Sequence, residues 1–157
     1  MAIDVDVELQ VCQAIDDADG TAAAMQCAVT MLKDAVPAYT WVGIYLLEGD
    51  ELVLGPFVGK PSPHTRIPLG RGICGAAAAE KATIIVDDVN ADPRYLACSI
   101  ETKSEIVVPI MLDDEVLGEI DIDSDRLAAF GQDDKTLLEA VAARLAPRLK
   151  TPQTEDP

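Results

Sequence analysis

Aromatic side chains are scarce: they make up 4% of the 157 residues, with one Trp, three Tyr and two Phe. Aliphatic residues must therefore fill the interior, and at 49% hydrophobic content the chain has enough of them for one core. Long apolar runs are missing. A run such as residues 106–112 falls far short of the roughly 20 residues of a membrane span. The N-terminal stretch MAIDVDVELQ is acidic and lacks the basic and apolar regions of a signal peptide, so a cytoplasmic location is expected. Positive charge is also in short supply. Twelve Lys and Arg face 28 Asp and Glu, a formal net charge of −16 and a sequence pI near 4.1. Such a surface repels a phosphate backbone and an anionic bilayer, which argues against nucleic-acid and membrane partners.

Histidine occurs once, as His64, inside a proline-rich loop. A nucleophile–His–acid triad would have to use it, and its setting is that of a mobile surface residue. The four cysteines, Cys12, Cys27, Cys74 and Cys98, form no CxxC pair. A zinc ribbon therefore has no support in the spacing, and structural disulfides are not expected in a cytosolic chain. Cys12 and Cys27 lie in apolar helical patterns and read as small core residues. Cys74 and Cys98 lie in Gly-rich and loop-like sequence, and these two need an explanation.

Periodicity gives the element order. Residues 5–17 and 21–36 carry apolar positions at three- and four-residue spacing and read as helices, with Asp19 or Thr21 as the N-cap of the second. Residues 40–47 and 51–57 form a hairpin around Glu48-Gly49-Asp50. A short strand at 66–69, an Ala-rich helix at 72–81 and a strand at 83–86 follow. Residues 87–99 make a long polar loop, and loops of that length in a small domain are often functional. A second hairpin joins 103–112 to 115–122, and an amphipathic helix covers 132–149. The tail after Lys150 reads as disordered. Hairpins without regular strand–helix–strand alternation predict an α+β fold in one domain, residues 1–150. It has an antiparallel sheet, helices packed on one face and a small-molecule pocket on the other.

Gly70-Arg71-Gly72-Ile73-Cys74-Gly75 matches GxGxxG by letter. It lacks the preceding central strand and crossover context of a dinucleotide site, so a tight turn opening a helix is the better reading. Cys74 then sits in a first helical turn, where the local field favours a thiolate. Asp121-Ile122-Asp123-Ser124-Asp125 resembles a calcium loop, but Arg126 and Gln132 stand where Gly and Glu are required. On a strand, Asp121 and Asp123 share a face, and Glu105 on the neighbouring strand comes to the same end of the sheet. Three converging acids suit a substrate ammonium, and a solvated sheet edge would equally accommodate them. Trp41 and Tyr45 also share a strand face, as core residues or as a pocket wall.

Taken together, Trp41-Val42-Gly43-Ile44-Tyr45, Leu54-Gly55-Pro56-Phe57, residues 66–75 (RIPLGRGICG), Ala97-Cys98, residues 104–109 (SEIVVP) and residues 118–124 (GEIDIDS) resemble the free methionine-R-sulfoxide reductases, a stand-alone GAF-domain group. The resemblance runs from about residue 39 to 145. It implies an oxidoreductase that reduces free L-methionine-R-sulfoxide, with Cys98 as catalytic nucleophile and Cys74 as resolving cysteine. It implies Trp41, Tyr45, Glu105, Asp121 and Asp123 as substrate-binding residues. It also implies no bound cofactor or metal, recycling by NADPH-linked thioredoxin, and a homodimer formed through the terminal helices as one option. Where many members carry a third cysteine, this chain has His64, which leaves Cys74 alone for the disulfide relay. Two other expectations fit the fold: a non-catalytic GAF small-molecule sensor, and a thiol redox sensor signalling through a Cys74–Cys98 disulfide.

Overall fold

Strict alternation in the last strand organises the molecule. In residues 115–124, Ile120 and Ile122 point to one face of the sheet and Glu119, Asp121 and Asp123 to the other, so this strand carries a core and a site back to back. The computed structural model describes residues 5–96 and 101–150. The elements are α1 (Val5–Asp17), α2 (Thr21–Ala35), β1 (Trp41–Glu48), β2 (Glu51–Val58), β3 (Arg66–Pro68), α3 (Gly72–Glu80), β4 (Ile84–Val86), β5 (Ser104–Leu112), β6 (Glu115–Ser124) and α4 (Gln132–Lys150). A single 3₁₀ turn, Val89–Ala91, interrupts the loop after β4.

The six strands form one sheet in the order β3-β2-β1-β6-β5-β4, and every neighbouring pair is antiparallel. The α+β fold with an antiparallel sheet is therefore as the sequence predicts. Helices α2 and α4 pack on one face, α1 packs against both of them, and the core they enclose is mainly aliphatic. Ile15, Leu32, Ile44, Ile106, Ile120, Ile122, Leu138 and Leu145 are essentially inaccessible to solvent there. Truncating one such isoleucine to alanine costs roughly 2–5 kcal/mol through lost burial and the cavity left behind. On the opposite face a smaller cluster gathers under α3: Trp41, Tyr45, Ile67, Ile73, Cys74, Ala77 and Val107.

Two local expectations are corrected. The N-cap of α2 is Gly20, with φ 100° and no side-chain hydrogen bond. Thr21 instead donates its hydroxyl to the Arg148 carbonyl at 2.8 Å, tying α2 to the end of α4. A tertiary partner has outcompeted the local cap. The last strand also runs two residues further than residues 115–122, to Ser124, which brings Asp123 into the hydrogen-bonded sheet. Cys12 is buried as expected, whereas Cys27 is only partly so. The tail after Lys150 lies outside the described residues.

Candidate active site

Strand register sets out the site as three rows on the face turned away from α1, α2 and α4. Asp123 of β6 pairs with Trp41 of β1 and Glu105 of β5. One step along, Asp121 lies between Gly43 and Val107, and one step further Glu119 lies between Tyr45 and Pro109. Glu105, Glu119, Asp121 and Asp123 are 5%, 0%, 4% and 6% exposed, so the open sheet edge considered from the sequence is excluded. The structure brings together Trp41, Tyr45, Cys74, Glu105, Asp121 and Asp123. The segment carrying Cys98 (residues 97–100) lies outside the described residues.

Trp41 is held on several sides. Its indole Nε1–H donates to the Lys60 carbonyl at 2.9 Å, and its ring stacks on Phe57 with centroids 5.7 Å apart and planes inclined by 21°. Gly43 lies beneath it, where a β-carbon would fall 2.3 Å from the ring. Gly59 lies beside it at φ +132°, where a β-carbon would fall 2.6 Å from the ring. Tyr45 is 1% exposed and donates its hydroxyl to the His64 carbonyl at 2.8 Å. That bond fixes the loop between β2 and β3 over the site, and His64 is half-buried within it rather than a free surface residue.

A cavity of about 460 Å³ opens above these rows, with Trp41, Tyr45, Lys60, Thr102, Asp121 and Asp123 in its wall. That is within the ordinary range for small-molecule sites. A much smaller cavity of about 20 Å³ shares Tyr45 and Asp121 with it and reaches Cys74, Glu105, His64 and Leu96.

The Gly-rich segment acts as a helix-opening turn. Gly70 N–H donates to the Gly75 carbonyl at 3.0 Å, and Arg71 N–H to the Pro68 carbonyl at 3.1 Å. A β-carbon on Gly75 would lie 2.7 Å from the Pro68 carbonyl oxygen, so the close seating of α3 on β3 requires glycine there. Cys74 falls in the first turn of α3, as expected, but its surroundings disfavour the thiolate. Burial pushes its pKa well above 9.0, and Asp121, Glu119 and Glu105 push it further. Burial together with three neighbouring acids outweighs the field of a nine-residue helix.

The acids titrate together. Burial raises Asp121, while hydrogen bonds from Glu105 and Cys74 pull it back. Burial comes first for Asp123 and Glu119 as well, and in each the charge on Asp121 adds to the rise. Glu105 partly opposes the shift of Asp123, and Cys74 that of Glu119. Neither Glu119 oxygen has a hydrogen-bond partner of ordinary geometry among the described residues, nor do Oδ1 of Asp121 and Oδ1 of Asp123. The site is therefore a store of protons with free acceptor positions, suited to receive a cationic group and to deliver a proton. Sequence reasoning did not single out Glu119, although it has the same parity on β6 as Asp121 and Asp123.

Comparison with known proteins agrees with this geometry. The GAF domain model matches residues 17–149. The chain is 39% identical over 121 residues to the free methionine-R-sulfoxide reductase of Escherichia coli K12, which covers 77% of this chain and 73% of that one. It superposes with a TM-score of 0.88 on the free methionine-R-sulfoxide reductase of Neisseria meningitidis solved in complex with its substrate, at 39% identity, covering 95% of this chain and 89% of the other. The type II free methionine-R-sulfoxide reductase of Thermoplasma acidophilum is 43% identical, with a TM-score of 0.80 over 82% of this chain and 92% of that one. With the fold, the register of the acids and these likenesses in agreement, the chain belongs to the GAF family and, within it, to the free methionine-R-sulfoxide reductases.

Proposed function

We propose that this protein reduces free L-methionine-R-sulfoxide to methionine by thiol chemistry and is recycled by thioredoxin. The observation that carries this reading is the set Trp41, Asp121 and Asp123 in the wall of the 460 Å³ cavity, with Glu105 paired to Asp123 and lining the small cavity that adjoins it. An aromatic plane lies next to clustered buried carboxylates, which matches a zwitterionic amino acid with an apolar S-methyl end. The carboxylates receive the ammonium, and the indole packs against the methyl group. Placing the ammonium among the acids favours ionisation of some of them, and the others keep a proton for transfer.

The Cys98 thiolate attacks the sulfoxide sulfur. A protonated carboxyl of the cluster gives its proton to the sulfoxide oxygen, which moves to Cys98 as sulfenic acid, and methionine departs. Cys74 then attacks the sulfenic sulfur. Water leaves, and a Cys74–Cys98 disulfide forms. A thioredoxin dithiol reduces the disulfide by two successive exchanges and becomes oxidised itself. The placement of the flanking residues supports this. Leu96 lines the small cavity with Cys74, and Glu101 and Thr102 line the large one, so the described residues on either side of Cys98 border both cavities. A pocket closed around one amino acid also excludes methionine sulfoxide within a polypeptide.

The test is a thioredoxin-coupled NADPH assay with separated sulfoxide epimers. Turnover of the free R epimer, absent in Cys98→Ser and limited to about one methionine per protein in Cys74→Ser, is the expected result. Wild-type protein that leaves the free sulfoxide untouched would overturn the reading. Disulfide formation with peroxide but no sulfoxide turnover would favour the thiol sensor instead.

A further inference from the structure

Cys74 Sγ, one carboxylate oxygen of Glu105 and one of Asp121 lie within 4.8 Å of one another. They come from three elements, α3, β5 and β6, and each side chain is at least nine-tenths buried. They share the wall of the 20 Å³ cavity. On the same measure a single water needs roughly 10–15 Å³, so the space suits one water or one ion. Among the described residues, no Lys or Arg lines that cavity. Asp121 Oδ1 has no hydrogen-bond partner of ordinary geometry among the described residues, and neither does either oxygen of Glu119 on the same strand face. A buried thiol facing this many carboxylates is neutralised by bound protons or by a cation.

The ligand chemistry discriminates between cations. One sulfur and two carboxylate oxygens disfavour calcium and magnesium, which take oxygen alone, and suit zinc-like ions of intermediate softness. Around tetrahedral zinc, with bonds of roughly 2.0–2.3 Å, ligand atoms stand roughly 3.3–3.8 Å apart. The observed atoms, within 4.8 Å of one another, would have to draw together by side-chain rotation to reach that spacing. The half-buried His64, the only histidine in the chain, lines the same cavity.

We propose that Cys74, Glu105 and Asp121 form a binding site for one thiophilic divalent cation of the zinc type, and that the bound ion withholds Cys74 from disulfide formation. The second half rests on the reading of Cys74 as the resolving cysteine. The ion replaces the thiol proton, so occupancy increases with pH. The titratable groups facing it are Glu105 from β5, Glu119, Asp121 and Asp123 from β6, and His64 from the β2–β3 loop. Because Glu105 and Asp121 also belong to the proposed ammonium site, the bound ion competes with substrate as well as withholding Cys74.

The test uses the reduced full chain at pH 8. One equivalent of Co²⁺ is expected to give a thiolate-to-cobalt charge-transfer band that Zn²⁺ displaces. The band persists in Cys98→Ser and is lost in Cys74→Ser and Asp121→Asn. A second measurement needs no variant: one equivalent of Zn²⁺ slows alkylation of Cys74, followed by peptide mass spectrometry, at least tenfold, leaves Cys27 unchanged, and is reversed by EDTA. No cobalt–thiolate band, a band lost in Cys98→Ser, or unprotected Cys74 would overturn the site. These readouts use no sulfoxide, so they are independent of the proposed activity. In the reductase assay zinc is expected to slow turnover, reversibly with EDTA, and a rate unchanged at saturating zinc would overturn the half that concerns Cys74.

Discussion

Gly43 stands opposite Asp121 in the β1–β6 ladder, and a β-carbon on it would fall 2.3 Å from the Trp41 ring. One missing methyl group thus leaves room both for the indole and for approach to the acid. Gly43→Ala forces the ring out of its stack on Phe57. A small displacement at a binding surface is costly, and kcat/KM for the free sulfoxide is expected to drop about tenfold or more, chiefly through KM. Tryptophan emission reports the displacement directly, because Trp41 is the chain's one indole. Unchanged emission with unchanged KM would count against the clamp.

Cys74 is expected to be a slow nucleophile at neutral pH. Its pKa is held well above 9.0 by burial and by Asp121, Glu119 and Glu105. Its alkylation rate in the reduced protein should therefore climb with pH through 9 without levelling off. Asp121→Asn removes the largest of the charge contributions, so alkylation at pH 8 should accelerate several-fold. A plateau below pH 8 in the wild type would contradict the assigned environment.

Glu119 offers a stability experiment with a defined sign. Its pKa is raised in the folded protein, so the folded state keeps a proton that the unfolded chain loses near pH 4. The stabilisation tied to that proton is complete below the ordinary carboxylate range and is lost as pH rises toward the folded-state value. Glu119→Gln removes this dependence while preserving shape. In urea unfolding, the variant should gain on the wild type between pH 5 and pH 8. A difference that stays constant with pH would show that Glu119 titrates normally.

Across the core, Tyr39 donates its hydroxyl to Asp134 Oδ1 at 2.6 Å, and the Gly131 N–H donates to Oδ2 at 2.8 Å. Asp134 thus closes the first turn of α4 and is pinned by β1's approach. Tyr39→Phe leaves a buried carboxylate short of a donor and is expected to cost roughly 1–3 kcal/mol in chemical denaturation. A neutral result would mean that water replaces the hydroxyl.

Much of this arrangement was legible beforehand because it is periodic. Alternation at Asp121-Ile122-Asp123 assigned a polar and an apolar face, and the same parity placed Trp41 beside Tyr45. The prediction of a short helix beginning within the Gly-rich turn also holds. What escaped was set by neighbours distant in sequence. A helix-terminus rule made Cys74 a thiolate, but residues more than 30 positions away surround it with acid. Glu119 lies in the same run as the recognised acids, yet only pairing with Tyr45 and Pro109 buries it. Likewise the cap of α2 was lost to a contact with Arg148.

The two-faced character of β6 bears on how the protein folds. Sliding this strand by one position against β1 or β5 would drive three carboxylates into the layer of isoleucines and expose those isoleucines to the ligand cavity. Both outcomes are severely unfavourable, so neighbouring registers are poor competitors. The acids of the proposed site thereby also keep the sheet in alignment during assembly. Replacing all three acids with valine would remove that guard, and the resulting protein would be expected to lose structural uniqueness along with chemistry.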